Sequence, residues 1–135
     1  MSDTLGFELT LPLDHEAAIT RVTDALKAEG FGVLSRIDVG DAIRNKLGVE
    51  FRPYAILGAC NPNLAHQALT HRADIGLLLP CNVTVEDAGP GQSKVAIIDP
   101  DAMMSTGDLG SEPPIQEVAK EARERLTRVA QALQG

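Results

Sequence analysis

Apolar and polar residues along this chain follow two periods, and the two-residue period predicts strands. Phe7, Leu9 and Leu11 alternate with Glu8 and Thr10, as in a strand that buries one face. Further extended runs are predicted at residues 31–37, 54–60, 83–86 and 95–98. The last two runs are separated by the turn-forming sequence AGPGQ and therefore predict a hairpin.

Apolar residues spaced three and four positions apart predict amphipathic helices between the strands. The clearest helix start is at Asn61 and Pro62, because Asn is a preferred N-cap and Pro fits the first helical position. Asp14 as a cap and Gly30 as a terminator bound an earlier helix. The remaining segments are a short helix at residues 41–47, a linker-like stretch at residues 99–114 and a long helix from about Pro113.

The resulting order, βαβ(α)βαββα, predicts a two-layer α+β fold with a mixed, mostly antiparallel sheet and helices on one face. The 135 residues fit a single domain spanning residues 1–135, and a chain of this length buries enough surface for a core without disulfides. The other face of the sheet is then either solvated or an interface.

The charge balance excludes nucleic acid as the main partner. The chain has 12 Lys plus Arg against 19 Asp plus Glu, a net charge of −7, whereas a phosphate backbone is bound by clustered cations. Aromatic residues make up only 3%, so the stacking platforms of single-strand binders are missing. The N-terminal sequence has no secretory pattern and no apolar run spans a bilayer, which predicts a cytoplasmic protein without a membrane partner.

Common motifs for phosphate, calcium and catalytic zinc do not fit this sequence. Residues 30–32 (GFG) lack the third glycine of a dinucleotide fingerprint and lead from a helix into a strand, the reverse of the required order. Residues 99–101 (DPD) begin like a calcium loop, but Met103 occupies a ligand position. The three histidines lack metalloprotease spacing. No metal site of these kinds is predicted, and the sequence identifies neither a cofactor nor a catalytic residue.

The strongest chemical lead is that each of the two cysteines precedes an asparagine. Cys60 and Asn61 join a predicted strand to a helix, where unpaired N–H groups and the helix dipole favour a thiolate. Cys81 and Asn82 lie where the hairpin begins. If the two strands are neighbours, the thiols face one pocket, which suits a redox pair, a soft-metal or sulfur-carrier site, or a nucleophile. Arg52 is the candidate for a nearby basic residue.

Two interpretations of these cysteines remain open. In the first, they line a site that binds a small molecule or acts through thiols, with or without catalysis. In the second, they are structural, since free cysteines usually pack as small buried apolar side chains, and Arg52 simply faces solvent. The chain is then a non-catalytic homodimeric binding or regulatory protein that uses the uncovered sheet face or the last helix as its interface.

Two long segments resemble the domain of unknown function 302 family. They are FRPYAILGACNPNLA (residues 51–65) and GLLLPCNV (residues 76–83), and residues 30–33 and 99–104 match the flanking pattern of that family. The resemblance covers nearly the whole chain and both cysteine–asparagine pairs. It implies a small bacterial or archaeal α+β domain that often forms dimers. It implies no reaction, because the family has no assigned activity.

Overall fold

The computed structural model describes residues 5–135 and contains one five-stranded sheet in the order β1-β5-β4-β3-β2. Every pairing between neighbouring strands is antiparallel, so the sheet has no parallel pair of the kind that a mixed sheet contains. The predicted hairpin is formed by the fourth and fifth strands. The strands are β1 (Gly6–Leu11), β2 (Gly32–Asp38), β3 (Tyr54–Cys60), β4 (Cys81–Asp87) and β5 (Ser93–Ile98).

All four predicted helices are present, and the two predicted side-chain caps are formed. Asp14 accepts a hydrogen bond from the Ala17 N–H at 2.9 Å, and Asn61 accepts one from the Leu64 N–H at 3.2 Å. The helices are α1 (His15–Ala28), α2 (Val39–Leu47), α3 (Pro62–His71), α4 (Pro100–Met103) and α5 (Pro113–Gln134), with 3₁₀ segments at Ala73–Leu78 and Gly107–Ser111.

The linker-like interpretation of residues 99–114 is wrong. Asp99 caps the short helix α4 by accepting from the Asp101 N–H at 3.0 Å, and Pro100 occupies its first turn. Met104 is 2% exposed and Leu109 is 6% exposed. These two buried side chains fix the segment to the core, which composition rich in Gly, Ser and Asp did not indicate.

Helices α1, α3 and α5 pack against one face of the sheet and form the predicted two-layer α+β fold. One inward row crosses four strands through side chains that are at most 5% exposed, namely Leu57, Val83, Ile97 and Phe7. Helix α5 covers this face with Ile115, Val118, Ala119, Ala122, Leu126, Val129 and Leu133. No helix within residues 5–135 is long and apolar enough to cross a membrane.

The opposite face of the sheet lies outside this hydrophobic core. One outward row crosses all five strands through the residues Ile37, Ile56, Thr84, Ala96 and Glu8. Ile37, on the edge strand β2, is 54% exposed, and the central members are half-buried. We call this row and its neighbours the outward face.

Charged side chains link the helices to one another. Arg125 pairs with Glu121 one turn earlier at 2.8 Å, as helical spacing favours. Arg128 has the same spacing from Glu124, yet it pairs with Glu29 at 2.9 Å. It therefore joins α5 to the C-terminal end of α1.

Candidate functional site

Both cysteines lie at the same end of the sheet, because β3 ends where its neighbour β4 begins. Ala59 is directly opposite Cys81 in the strand register, and Cys60 is the next residue. The two strands are thus neighbours, as the shared-pocket hypothesis required. Both thiols are free, with Cys60 partly exposed and Cys81 buried.

The two cysteines line one cavity, which we call the cysteine cavity. Its volume is about 30 Å³. This volume suits a ligand of a few non-hydrogen atoms or one end of a larger one. The remaining wall consists of Phe31, Ala59, Asn61, Leu64, Ala65, Ala68, Leu79, Pro80, Met104, Val118 and Ala122.

Distant parts of the chain supply this wall, so local sequence patterns did not single it out. Leu64 and Ala68 come from α3, Ala122 comes from α5, and Met104 follows the short helix α4. In the sequence, the helical members have the spacing of an ordinary buried stripe. The stripe indicates burial, but only the packing of α3 against α5 shows that a space is left beside it.

Burial keeps the Cys81 thiol protonated well above neutral pH. The residue is 6% exposed, and the loss of hydration, together with the nearby Cys60, raises the pKa of Cys81 from 9.0 to about 11. Because the thiolate is the form that attacks carbon or binds metal, Cys81 acts here as a neutral, polarisable part of the wall.

The side chains described in the cavity wall include no cation or histidine that could activate a thiol. Among the residues that the structure describes, none of those lining the cavity is charged or is a histidine. No group of three or more His, Cys, Asp or Glu side chains suited to a metal ion occurs within residues 5–135. The arrangement favours binding of an apolar group over thiol chemistry.

Asn61 is the polar residue of the wall, and it also caps helix α3. It is 8% exposed, and its side-chain oxygen accepts the Leu64 N–H. The structure therefore brings three of the five candidate residues together, Cys60, Asn61 and Cys81.

Arg52 and Asn82 lie elsewhere. Arg52 precedes β3 and is therefore at the opposite end of that strand from Cys60. It pairs with Glu86 at 2.7 Å and lies over the rings of Phe51 and Tyr54, at 4.7 Å and 5.8 Å from their centroids. These contacts give Arg52 a structural role at that end of the sheet.

Asn82 points to the outward face. It is exposed and lies opposite Gly58 on the neighbouring strand, whereas the adjacent Cys81 points inward. Strand alternation alone separates the two side chains. The repeated cysteine–asparagine pair therefore does not form two equivalent halves of one site.

Comparisons with known proteins agree with this architecture. The model of a family described as domain of unknown function DUF302 matches residues 7–133. A crystal structure described as an uncharacterized conserved protein DUF302 from Bacillus stearothermophilus is similar, with a TM-score of 0.79 and 28% sequence identity. The similarity covers 91% of this chain and 93% of that one. No curated protein matches the sequence.

Proposed function

Because this chain belongs to the DUF302 family, whose name assigns no activity, we propose its function from its geometry: it binds a small apolar molecule beside Cys60 and Cys81. The observation that carries the proposal is the cysteine cavity itself, an apolar space lined by both cysteine residues at one end of the sheet. Native cores leave few such spaces, since they are packed as densely as organic crystals.

The chemistry of the wall supports an apolar ligand. Leu64, Met104 and Ala122 offer hydrocarbon and thioether surface, and Cys81 is a neutral thiol at physiological pH. Burying apolar area is favourable by about 25 cal/mol per Å².

Alkylation with iodoacetamide tests access to this site. We expect folded protein to take up one label, at Cys60, because Cys60 is partly exposed and Cys81 is buried. Both cysteines should be labelled after unfolding in urea, and mass spectrometry of the digested protein identifies them. Equal labelling of Cys81 in the folded protein would contradict the described cavity.

A matched pair of variants shows whether labelling occurs through the cavity. Ala65 on α3 lines the cavity, whereas Thr70 on the same helix is exposed. Ala65→Leu adds a branched side chain to the wall and should slow the alkylation of Cys60 severalfold, and Thr70→Leu should leave the rate unchanged. Equal rates of Cys60 alkylation in the two variants would show that the reagent does not reach Cys60 through the cavity.

The outward face supports a second candidate function, a homodimeric binding protein. Ile37 and Ile56 lie side by side on this face, and Leu34 on the same edge strand is 72% exposed. Charged residues flank the apolar centre, with Glu86 opposite Lys94. A patch of this composition, with both charges at its rim, suits a second copy of the chain related by a two-fold axis.

Sedimentation equilibrium tests the dimer. We expect the protein to be dimeric at micromolar concentration and Ile37→Lys to be monomeric, since a lysine ammonium in an apolar interface loses its hydration. Leu69→Lys is the control, because Leu69 is 41% exposed on α3 in the helix layer. A monomeric wild-type protein removes this candidate and leaves the cavity proposal intact.

A further inference from the structure

A polar cleft lies on the other side of the first turn of α3 from the cysteine cavity. Asn61 and Leu64 belong to both walls. The cleft is much larger, with a volume of about 620 Å³. Its polar lining comes from the start of α3 and from α5, namely Asn61, Asn63, His66, Gln67, Glu121 and Arg125.

The side chain of Asn61 has an unused donor at this cleft. The Leu64 N–H donates to one side-chain atom of Asn61 at 3.2 Å, which identifies that atom as the oxygen and fixes the position of Nδ2. Nδ2 has no hydrogen-bond partner within residues 5–135, although Asn61 is 8% exposed. Every fully enclosed side-chain polar atom in that range has a hydrogen-bond partner. Because Nδ2 has no partner, it is not fully enclosed, and it reaches solvent in the cleft.

Gly30 shows how closely the donors of the cleft converge. A Cβ atom built on Gly30 would lie 2.9 Å from Asn61 Nδ2 and 3.6 Å from Arg125 Nη1. The side-chain amide of Asn61 and the guanidinium of Arg125 therefore both lie next to the backbone of Gly30, which has no side chain. A ligand oxygen placed beside Gly30 is within reach of both.

Arg125 is held in place but keeps donor capacity. Its Nε donates to Glu121 at 2.8 Å and its Nη1 to the Glu29 carbonyl at 3.1 Å. Nη2 has no partner among residues 5–135. The Asn63 N–H, in the first turn of α3, has no acceptor within the helix, and the helix dipole adds positive potential there.

We propose that this cleft binds the carboxylate of a small organic acid. Asn61 Nδ2, the Asn63 N–H and the guanidinium of Arg125 are its donors, and this proposal does not depend on the function of the cysteine cavity. A planar carboxylate matches an arginine fork and amide donors. Glu121 offsets the positive charge of Arg125 in the wall, which favours a monoanion over a phosphate dianion.

Titration of ¹⁵N-labelled protein with sodium acetate at constant ionic strength tests the proposal. We expect saturable shifts of the Asn63 and Leu64 amide signals and of the Asn61 side-chain NH₂. Sodium phosphate, added in a parallel titration, should bind more weakly. Absence of saturation with acetate, or tighter binding of phosphate, overturns the assignment to a carboxylate.

Three variants separate binding from folding. Asn61→Asp keeps an oxygen for the Leu64 N–H but replaces the Nδ2 donor by a carboxylate oxygen, and we expect it to abolish acetate binding. Arg125→Gln should weaken binding about tenfold or more, the loss expected for a charge-assisted hydrogen bond. Arg128→Gln removes the same charge one turn along α5 and should retain the wild-type affinity. If both arginine variants weakened acetate binding equally, the effect would come from the net charge of the protein, and this result would contradict the proposed site.

Discussion

Between pH 9 and pH 11 the wild-type protein is expected to lose about 2–3 kcal/mol of stability that a Cys81→Ala variant does not lose. In the unfolded chain the thiol ionises near its ordinary pKa of 9.0, whereas in the folded protein burial raises the pKa of Cys81 to about 11. Above pH 9 the folded state therefore holds a proton that the unfolded state has released, and the free energy of unfolding falls as the pH rises. Below this window both states are protonated and the contribution is constant.

Urea denaturation at a series of pH values across this window measures the effect. The difference in unfolding free energy between wild type and Cys81→Ala should shrink steadily as the pH increases. Cys60→Ala is the control variant: because burial is the main cause of the raised pKa of Cys81, this variant should still lose stability across the window. A difference between wild type and Cys81→Ala that stays constant through pH 11 would show that Cys81 is not buried as described.

Gly58→Ala is expected to destabilise the protein by about 1–3 kcal/mol, the usual cost of forcing extra atoms into a packed site. A Cβ atom at Gly58 would lie 2.8 Å from Pro80 Cγ and also in contact with Ser35 Oγ. The serine hydroxyl can rotate away, but the proline ring can move only with the segment that leads into β4. Because Pro80 lines the cysteine cavity, the same substitution should alter the cavity.

Gly32→Ala is the control for Gly58→Ala. Gly32 is also in the sheet, on β2, and a Cβ atom there meets nothing within 4 Å. Alanine at this position should change the free energy of unfolding by no more than about 0.5 kcal/mol, the range of a surface substitution. If both substitutions destabilised the protein equally, the cause would be the loss of glycine and not the contact with Pro80.

Local rules predicted the elements of this fold well. The Asn61–Pro62 start of α3 and the Asp14 cap of α1 depend on hydrogen bonds over three residues, which sequence spacing reveals directly. The segment after Asp99 has the sequence pattern of a linker, because its anchors, Met104 and Leu109, are isolated apolar residues in a polar stretch. Their burial depends on tertiary packing against α5, which the spacing of residues within the segment does not encode.

The candidate site was only partly predictable for the same reason. The pairing of β3 with β4, which brings Cys60 beside Cys81, is a long-range contact that no local pattern encodes. The strand period could separate Asn82 from Cys81, since alternate residues face opposite sides, yet the repeated motif drew attention to both. Arg52 is close to Cys60 in sequence, but a strand lies between them and holds them apart.

A crystal of the protein pressurised with xenon tests the central claim most directly, because xenon enters apolar cavities that exclude polar ligands. We expect a xenon atom in contact with Leu64, Cys81 and Met104, and we expect it to be lost in Ala65→Leu but not in Thr70→Leu. Two results would contradict an apolar ligand site beside the two cysteines. In one, xenon occupies other places in the crystal while this cavity stays empty, and in the other, side chains fill the cavity.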